Sequence, residues 1–400
     1  MTNVKQGDNN IMAILQGCNL VCGEMKGNVL GFDAVTYTGN GTSQDIVTNI
    51  ASVDFTVASN GSGYYLDRTT FEVKNDAGTV QASGTCICNV SKVHIKNRAS
   101  ATWNNVADGL RGVNKTIYTN ETSIESSATG IVEAFNSDGF TVGDDTGVNA
   151  NGSDHIAYQT LYTHIKWGTT NQGKKYVEAY NPTTKETMIM YEGSGTAGHE
   201  IPQSLGVALG YWDIKNLTTV NDWRSQRRVN YVLKLNLDGV EVASTAQAVE
   251  NTSTELTLGG TSDGSNSGSD TYILYGKAKS ITWTIVEYVG TGAGGNFVEC
   301  GGMPRRVILK ATSAVGDWVV FDSERETTDA FDGRIELSSS GAETTNWAPA
   351  QIDRNSTGFT IGGSDTEMNI DGVSYIALVE FDTNADGGGS YFYKPTGNCP

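Results

Sequence analysis

The sequence has 400 residues, a formal net charge of −18, 48 glycines, 6 prolines and a hydrophobic fraction of 38%. The acidity argues against a backbone-wrapping nucleic-acid binder, which needs a basic stripe, and disfavours adhesion to anionic lipid. With 17 Tyr, 11 Phe and 7 Trp the chain is too aromatic for disorder, and its length predicts two to four domains of short strands joined by tight turns.

The chain opens on MTNVKQGDNN, without a basic stretch, and its first apolar run, Ile11 to Leu15, is five residues long. Neither a secretory signal nor an 18-residue membrane span is read there, which predicts a chain made and folded in a cytoplasm. Residues 1–30 place Gly17, Gly23 and Gly27 between short apolar pieces. They are expected to form an attachment arm that orders on docking to a neighbour. Six cysteines follow no paired C-x2-C spacing: Cys18 and Cys22, Cys86 and Cys88, Cys300, and Cys399. Free thiols are favoured over a zinc site on that spacing.

From residue 31 onward one pattern recurs three times. Tyr37-Thr-Gly-Asn-Gly41, Tyr191-Glu-Gly-Ser-Gly195 and Tyr288-Val-Gly-Thr-Gly292 share Y-x-G-x-G. A strand ending in lysine follows, at Lys96, Lys215 and Lys310, and then a tryptophan, at Trp103, Trp223 and Trp318. Next comes a block aligned on Phe140, Leu256 and Phe359 that closes on Ile156, Ile273 and Ile376. Period-two alternation before each Y-x-G-x-G, as in Ile281, Trp283 and Ile285, predicts a strand with one buried face, and the glycines permit the turn that ends it. Val229 to Leu237 alternate before Asp238-Gly239, which predicts a hairpin. Tyr375 to Phe381 predicts a central strand.

Units of this size bury their own cores, unlike solenoid repeats. The predicted fold class is all-β, a tandem of β-sandwich (jelly-roll or lectin-like) domains. They are placed at 31–166 with an inserted hairpin, at 167–280 as a divergent copy and at 281–385, with a tail at 386–400.

The repeats resemble a domain of tail and virion proteins of tailed bacteriophages, notably marine and cyanobacterial phages. The first unit carries that motif in Lys96, Arg98, Trp103, Asp108, Arg111, Gly112, Phe140, Gly143, Ile156 and Ala157. The third carries it in Lys310, Trp318, Asp322, Arg325, Phe359, Gly362, Tyr375, Ile376 and Ala377. The second unit departs, with Arg-Ser-Gln-Arg-Arg after Trp223 and no matching Asp-x-x-Arg.

Asp108 with Arg111, and Asp322 with Arg325, are spaced to pair across a turn. A structural ion pair is favoured over a carboxylate clamp, because the pair recurs in copies that otherwise differ. Lys96 and Lys310 are expected over aromatic faces, and Trp103 and Trp318 in cores. Trp167 and Trp347, outside the repeated positions, are the better candidates for stacking on a sugar. The acidic loops Gly143 to Gly147, Asp263 to Asn266 and Gly363 to Glu367 read as turns rather than calcium sites. His94, His155, His164 and His199 show no metal-type spacing, and no Walker loop, nucleophile elbow or dinucleotide fingerprint is present.

The resemblance therefore implies a non-enzymatic virion protein without a cofactor, either a tail fibre or a tail-associated host-adhesion component. A head-decoration or other structural protein is the alternative, and a glycan-degrading enzyme ranks third. Expected partners are other virion proteins through residues 1–30, further copies of the chain as a trimer, and a host surface glycan. No nucleic acid and no membrane insertion is expected.

Overall fold

The alternation that marks the repeats reaches further than one buried face. In the lysine strand of the first unit, Val93 and Ile95 point one way and Lys92, His94 and Lys96 point the other, yet His94 and Lys96 are buried too. Both faces of this strand are therefore covered, and the fold follows from what covers each.

The computed structural model describes residues 31–48, 50, 65–67, 72–74, 79–136, 138–261, 264–268, 270–326, 328, 330–346 and 351–381. The described elements are nearly all strands, with a single helical turn at Thr146–Asn149. None of the described helices is long and apolar enough to cross a membrane. The expected arm at 1–30, the tail at 386–400 and Cys18, Cys22, Cys399 and Trp347 lie outside the described residues.

Three modules share one topology. Each has an opening strand (Phe32–Thr38, Glu186–Glu192, Trp283–Val289) and a closing strand (Asp154–Thr169, Thr271–Lys277, Ser374–Phe381). Each also has a lysine strand (Gly84–Asn97, Tyr211–Asn216, Pro304–Ala311). The closing strand lies between the other two, antiparallel to both, so the last strand of each repeat is central in its sheet. The registers coincide: Ile156 faces Lys96, Ile273 faces Lys215 and Ile376 faces Lys310. A smaller sheet covers one face: Gln44–Val47, Gly139–Val142 and Val132–Asn136 in the first module. His199–Pro202, Glu255–Leu258 and Ala248–Asn251 do so in the second, and Asn296–Glu299, Gly358–Ile361 and Ile352–Asn355 in the third. Two packed antiparallel sheets make each module a β-sandwich.

Each sandwich has a private core between its sheets. Phe140, Val93 and Ile95 sit in the first, Trp212, Leu256 and Leu274 in the second, and Phe359, Leu309 and Val379 in the third. A fourth core lies outside all three and draws from each of them, including Ile156, Tyr158, Trp223, Ile273, Trp318 and Ile376. This shared core covers the second face of the main sheets. The modules therefore close on one another instead of running end to end as a string.

Two sequence boundaries shift. The expected break between 166 and 167 falls inside the closing strand Asp154–Thr169, whose second half pairs with Lys175–Asn181. That hairpin pairs on with Glu186–Glu192, so the main sheets of the first two modules form one sheet of eleven strands. The hairpin expected from Val229 to Val242 is reduced to Tyr231–Val232 against Val242–Ala243. Between these strands, Lys234 O and Asp238 O accept from Trp318 Nε1 and Lys310 Nζ of the third module, and the segment forms a loop.

Candidate functional site on the module axis

Three clasps hold the turns of Y-x-G-x-G. The tyrosine hydroxyls donate to Val148 O (2.5 Å), Ser265 O (2.8 Å) and Met368 O (2.8 Å). Their rings stack on His155, Tyr272 and Tyr375 at centroid distances of 5.1, 5.2 and 5.2 Å. A buried asparagine completes each clasp: Asn149, Asn266 or Asn369. Its Oδ1 accepts from the amide of Asn40, Ser194 or Thr291 at 2.8–2.9 Å. Its Nδ2 donates to Gly143 O, Gly260 O or Gly363 O. The two glycines of the motif do different work. A Cβ on Gly39, Gly193 or Gly290 would come within 2.0–2.3 Å of a backbone oxygen, while Gly41, Gly195 and Gly292 have φ of +72°, +66° and +67°.

The modules are tied to one another in a fixed direction. Lys215 Nζ of the second module donates to Thr122 O of the first (2.9 Å) and to its own Asn221 O (2.6 Å). Lys96 of the first donates to Ser340 O of the third (2.9 Å) and to Thr102 O (2.6 Å). Lys310 of the third donates to Asp238 O of the second (2.7 Å) and to Gly316 O (2.5 Å). The sequence second to first to third to second is closed, which is how a heterologous contact makes a ring. Burial lowers each of these three ammonium groups to about 8.

Other contacts run the same way round. Trp223 Nε1 donates to Tyr118 O (2.8 Å) and Trp318 Nε1 to Lys234 O (3.0 Å). The corresponding group of the first module is Asn104, whose Nδ2 donates to Ser339 O at 2.8 Å. Asn104 lies eight residues after Lys96, as Trp223 and Trp318 lie eight after their lysines. Trp103 is therefore not the third member of the set. It is 52% exposed and packs on Tyr118 at 4.8 Å.

The Asp–Arg pairs lie on the same axis, with Arg111 Nε 2.5 Å from Asp108 Oδ2 and Arg325 Nε 2.6 Å from Asp322 Oδ2, all four buried. Arg111 Nη2 and Arg325 Nη2 donate to Val106 O and Val320 O. Each aspartate also receives a tyrosine from another module: Tyr275 to Asp108 (2.7 Å) and Tyr158 to Asp322 (2.6 Å). In the second module Arg227 takes the aspartate position, twelve residues after Lys215. It pairs with Glu241 at 3.0 Å and with Glu287 of the third module. Lys310 has the expected aromatic neighbour, Trp318, at 6.0 Å.

Above the lysine layer the axis opens into a cavity of about 100 Å³. Along the lysine strands its wall carries Lys92 and His94, Tyr211 and Asp213, and Arg306 and Ile308. Closing strands add Tyr158 and Thr160, Tyr275 and Lys277, and Leu378 and Glu380. The three repeats agree at the lysines and isoleucines of the base and diverge here. Burial pushes His94 down to about 3 and Asp213 up to about 6. Burial alone would raise Glu380, but Arg306 and Lys277 outweigh it and hold the carboxyl at about 2.

The sequence motifs mark none of these cavity groups as a site. The alternation of the lysine strands carried the signal, since Lys92, His94 and Lys96 are two residues apart. The expected sugar-stacking residue Trp167 is buried in the shared core, 5% exposed, with its ring against Gly84. That burial removes it as a surface platform. Asp145 caps the helical turn Thr146–Asn149 by accepting from Gly147 N (2.7 Å). Among the described residues no group of three or more His, Cys, Asp or Glu is gathered to hold a metal ion, and Cys300 is a buried free thiol.

The model of one family, described as a domain of unknown function, DUF7483, matches residues 61–381. No curated protein and no solved structure matches the chain significantly.

Proposed function

The chain belongs to the DUF7483 family, and we propose that it is a non-enzymatic building block of a tailed-phage virion, a tail fibre or tail-associated host-adhesion component. The observation that carries this reading is the use to which the motif residues are put. Lys96, Lys310, Asp108, Arg111, Asp322 and Arg325 are all engaged in holding one module to itself or to the next. A motif used in this way supplies rigidity, which suits a load-bearing part.

A second observation supports the contact role. Val220 and Val315, each five residues after an axial lysine, are 63% and 61% exposed, and Trp103 is 52% exposed. All three sit on the loops whose carbonyls receive the axial lysines, so they surround one end of the ring. An apolar rim of this kind suits a neighbouring virion protein. Further copies as a trimer, residues 1–30 as the attachment arm and a host surface glycan remain part of the proposal.

Mass spectrometry of purified particles, followed by cryo-EM of those particles, tests it. The expected result is the chain at fixed stoichiometry in the tail. Confinement to the infected cell, with none in the particles, would reject it.

A further inference from the structure

The cavity on the axis contains hydrogen-bonding groups that the fold does not use. Much of its charge is settled locally. Glu380 Oε1 accepts from Lys277 Nζ and Arg306 Nη2, both at 2.6 Å, and Lys277 also pairs with Glu186 at 2.7 Å. Lys92 is different. Its Nζ lies 4.6 Å from the centroid of the Tyr275 ring, and no described residue accepts a hydrogen bond or an ion pair from it. Beside it, His94 Nε2 and Arg306 Nε are buried without an acceptor. His94 is only 8% exposed.

Two oxygens belong to residues that line the same cavity. Asp213 spends Oδ1 on the hydroxyls of Tyr211 (2.7 Å) and Ser225 (2.5 Å), and no described group donates to its Oδ2. Glu380 Oε2 is buried without a donor. Lys92 and Asp213 come from different modules and are not joined in an ion pair. The Arg306 guanidinium is held over the Phe32 and Tyr158 rings, 4.5 Å from each centroid, which fixes the direction of its Nε. Of these atoms, His94 Nε2, Arg306 Nε and Glu380 Oε2 are buried and unmatched, which is costly, and a molecule held in the cavity would offset that cost.

The geometry points to the axial cavity as a binding site for a small carboxylate that carries a neighbouring hydrogen-bond donor, such as an α-hydroxy acid. Lys92 Nζ and Arg306 Nε take the carboxylate, and Asp213 Oδ2 takes the donor. The carbon skeleton lies against the Tyr158 and Tyr275 rings. A cavity of about 100 Å³ has room for several water molecules or one ligand of a few heavy atoms. This inference does not depend on a place in a virion.

The test is thermal unfolding of the full chain at pH 7 with sodium glycolate, sodium acetate or sodium chloride at matched ionic strength. Glycolate should raise Tm saturably, acetate less, and chloride should give no saturable rise. Lys92→Met should weaken the apparent glycolate affinity at least tenfold, and Asp213→Asn should remove the advantage of glycolate over acetate. Equal effects of all three salts, or a glycolate response unchanged in Lys92→Met, would overturn the assignment. Saturation-transfer NMR on the wild-type chain decides the matter if the variants do not fold. Transfer from aromatic protons to the glycolate methylene supports the site, and its absence counts against it.

Discussion

The Tyr275 hydroxyl of the second module donates a 2.7 Å hydrogen bond to Asp108 Oδ2 of the first, the same oxygen that lies 2.5 Å from Arg111 Nε. An ion pair local in sequence is thereby made part of a contact 167 residues long in sequence. Truncation of the two partners should differ in cost. Tyr275→Phe removes one hydrogen bond to a charged group and should lower stability by about 1.5–3 kcal/mol. Asp108→Ala strands the Arg111 guanidinium in the interior and should cost about 3–5 kcal/mol. Urea unfolding of the two variants checks the order.

The clasp asparagines carry a second expectation. Asn369 joins the Thr291 amide, Gly363 O and Ala293 O within one buried side chain. Asn369→Leu leaves those backbone groups unpaired and should destabilise the third module by about 2–4 kcal/mol. Gly290→Ala forces a Cβ against Ile370 O at 2.1 Å and should cost about 1–3 kcal/mol by overpacking. Hydrogen exchange should show both losses first around residues 358–376.

Acid sensitivity has a specific source. Burial holds His94 near 3, whereas an unfolded chain takes up its proton around 6.5. Between those values the unfolded state binds more protons, so stability falls as pH drops from about 6.5 toward 3. Glu380, held at about 2 against an ordinary 4.5, acts in the same direction at lower pH, while Asp213, raised to about 6, opposes it. His94→Gln should therefore remove roughly 2 kcal/mol of the difference between pH 7 and pH 5. Urea midpoints of wild type and variant at those two pH values measure it.

The repeat was legible in the sequence because its chemistry is local. Y-x-G-x-G, the lysine-ended strands and the closing isoleucines each recur at short range, and the structure places each set at one position of a common sandwich. What joins them was harder to read. Asn149, Asn266 and Asn369 each stand seven residues before the closing isoleucine, a constant offset hidden among turn residues of ordinary composition. Residue type aligns Trp103 with Trp223 and Trp318, although the eighth position after Lys96 is Asn104. The ring itself left only one trace, polar residues such as Lys92, His94 and Lys96 on the outer face of a strand. Sequence alternation reads that face as solvent-exposed because the other two modules that cover it are remote in the chain.

Trp103→Ala alters a half-exposed ring and should cost under about 1 kcal/mol, within the range of surface changes. Asn104→Leu breaks the contact to Ser339 O and leaves a part-buried carbonyl without its donor, for about 1–3 kcal/mol. Thermal or urea unfolding of the pair decides which residue holds the first module to the third.

Closure of the ring is tested most directly where the first module meets the third. Glu343 N donates to Arg98 O at 2.9 Å, and the two side chains pair at 2.6 Å across 245 residues of sequence. The double variant Arg98→Cys with Glu343→Cys, oxidised at low protein concentration and digested, should yield a peptide pair joined between positions 98 and 343 within a single chain. Modules strung end to end would give no such intrachain link, and that outcome would contradict the closed arrangement.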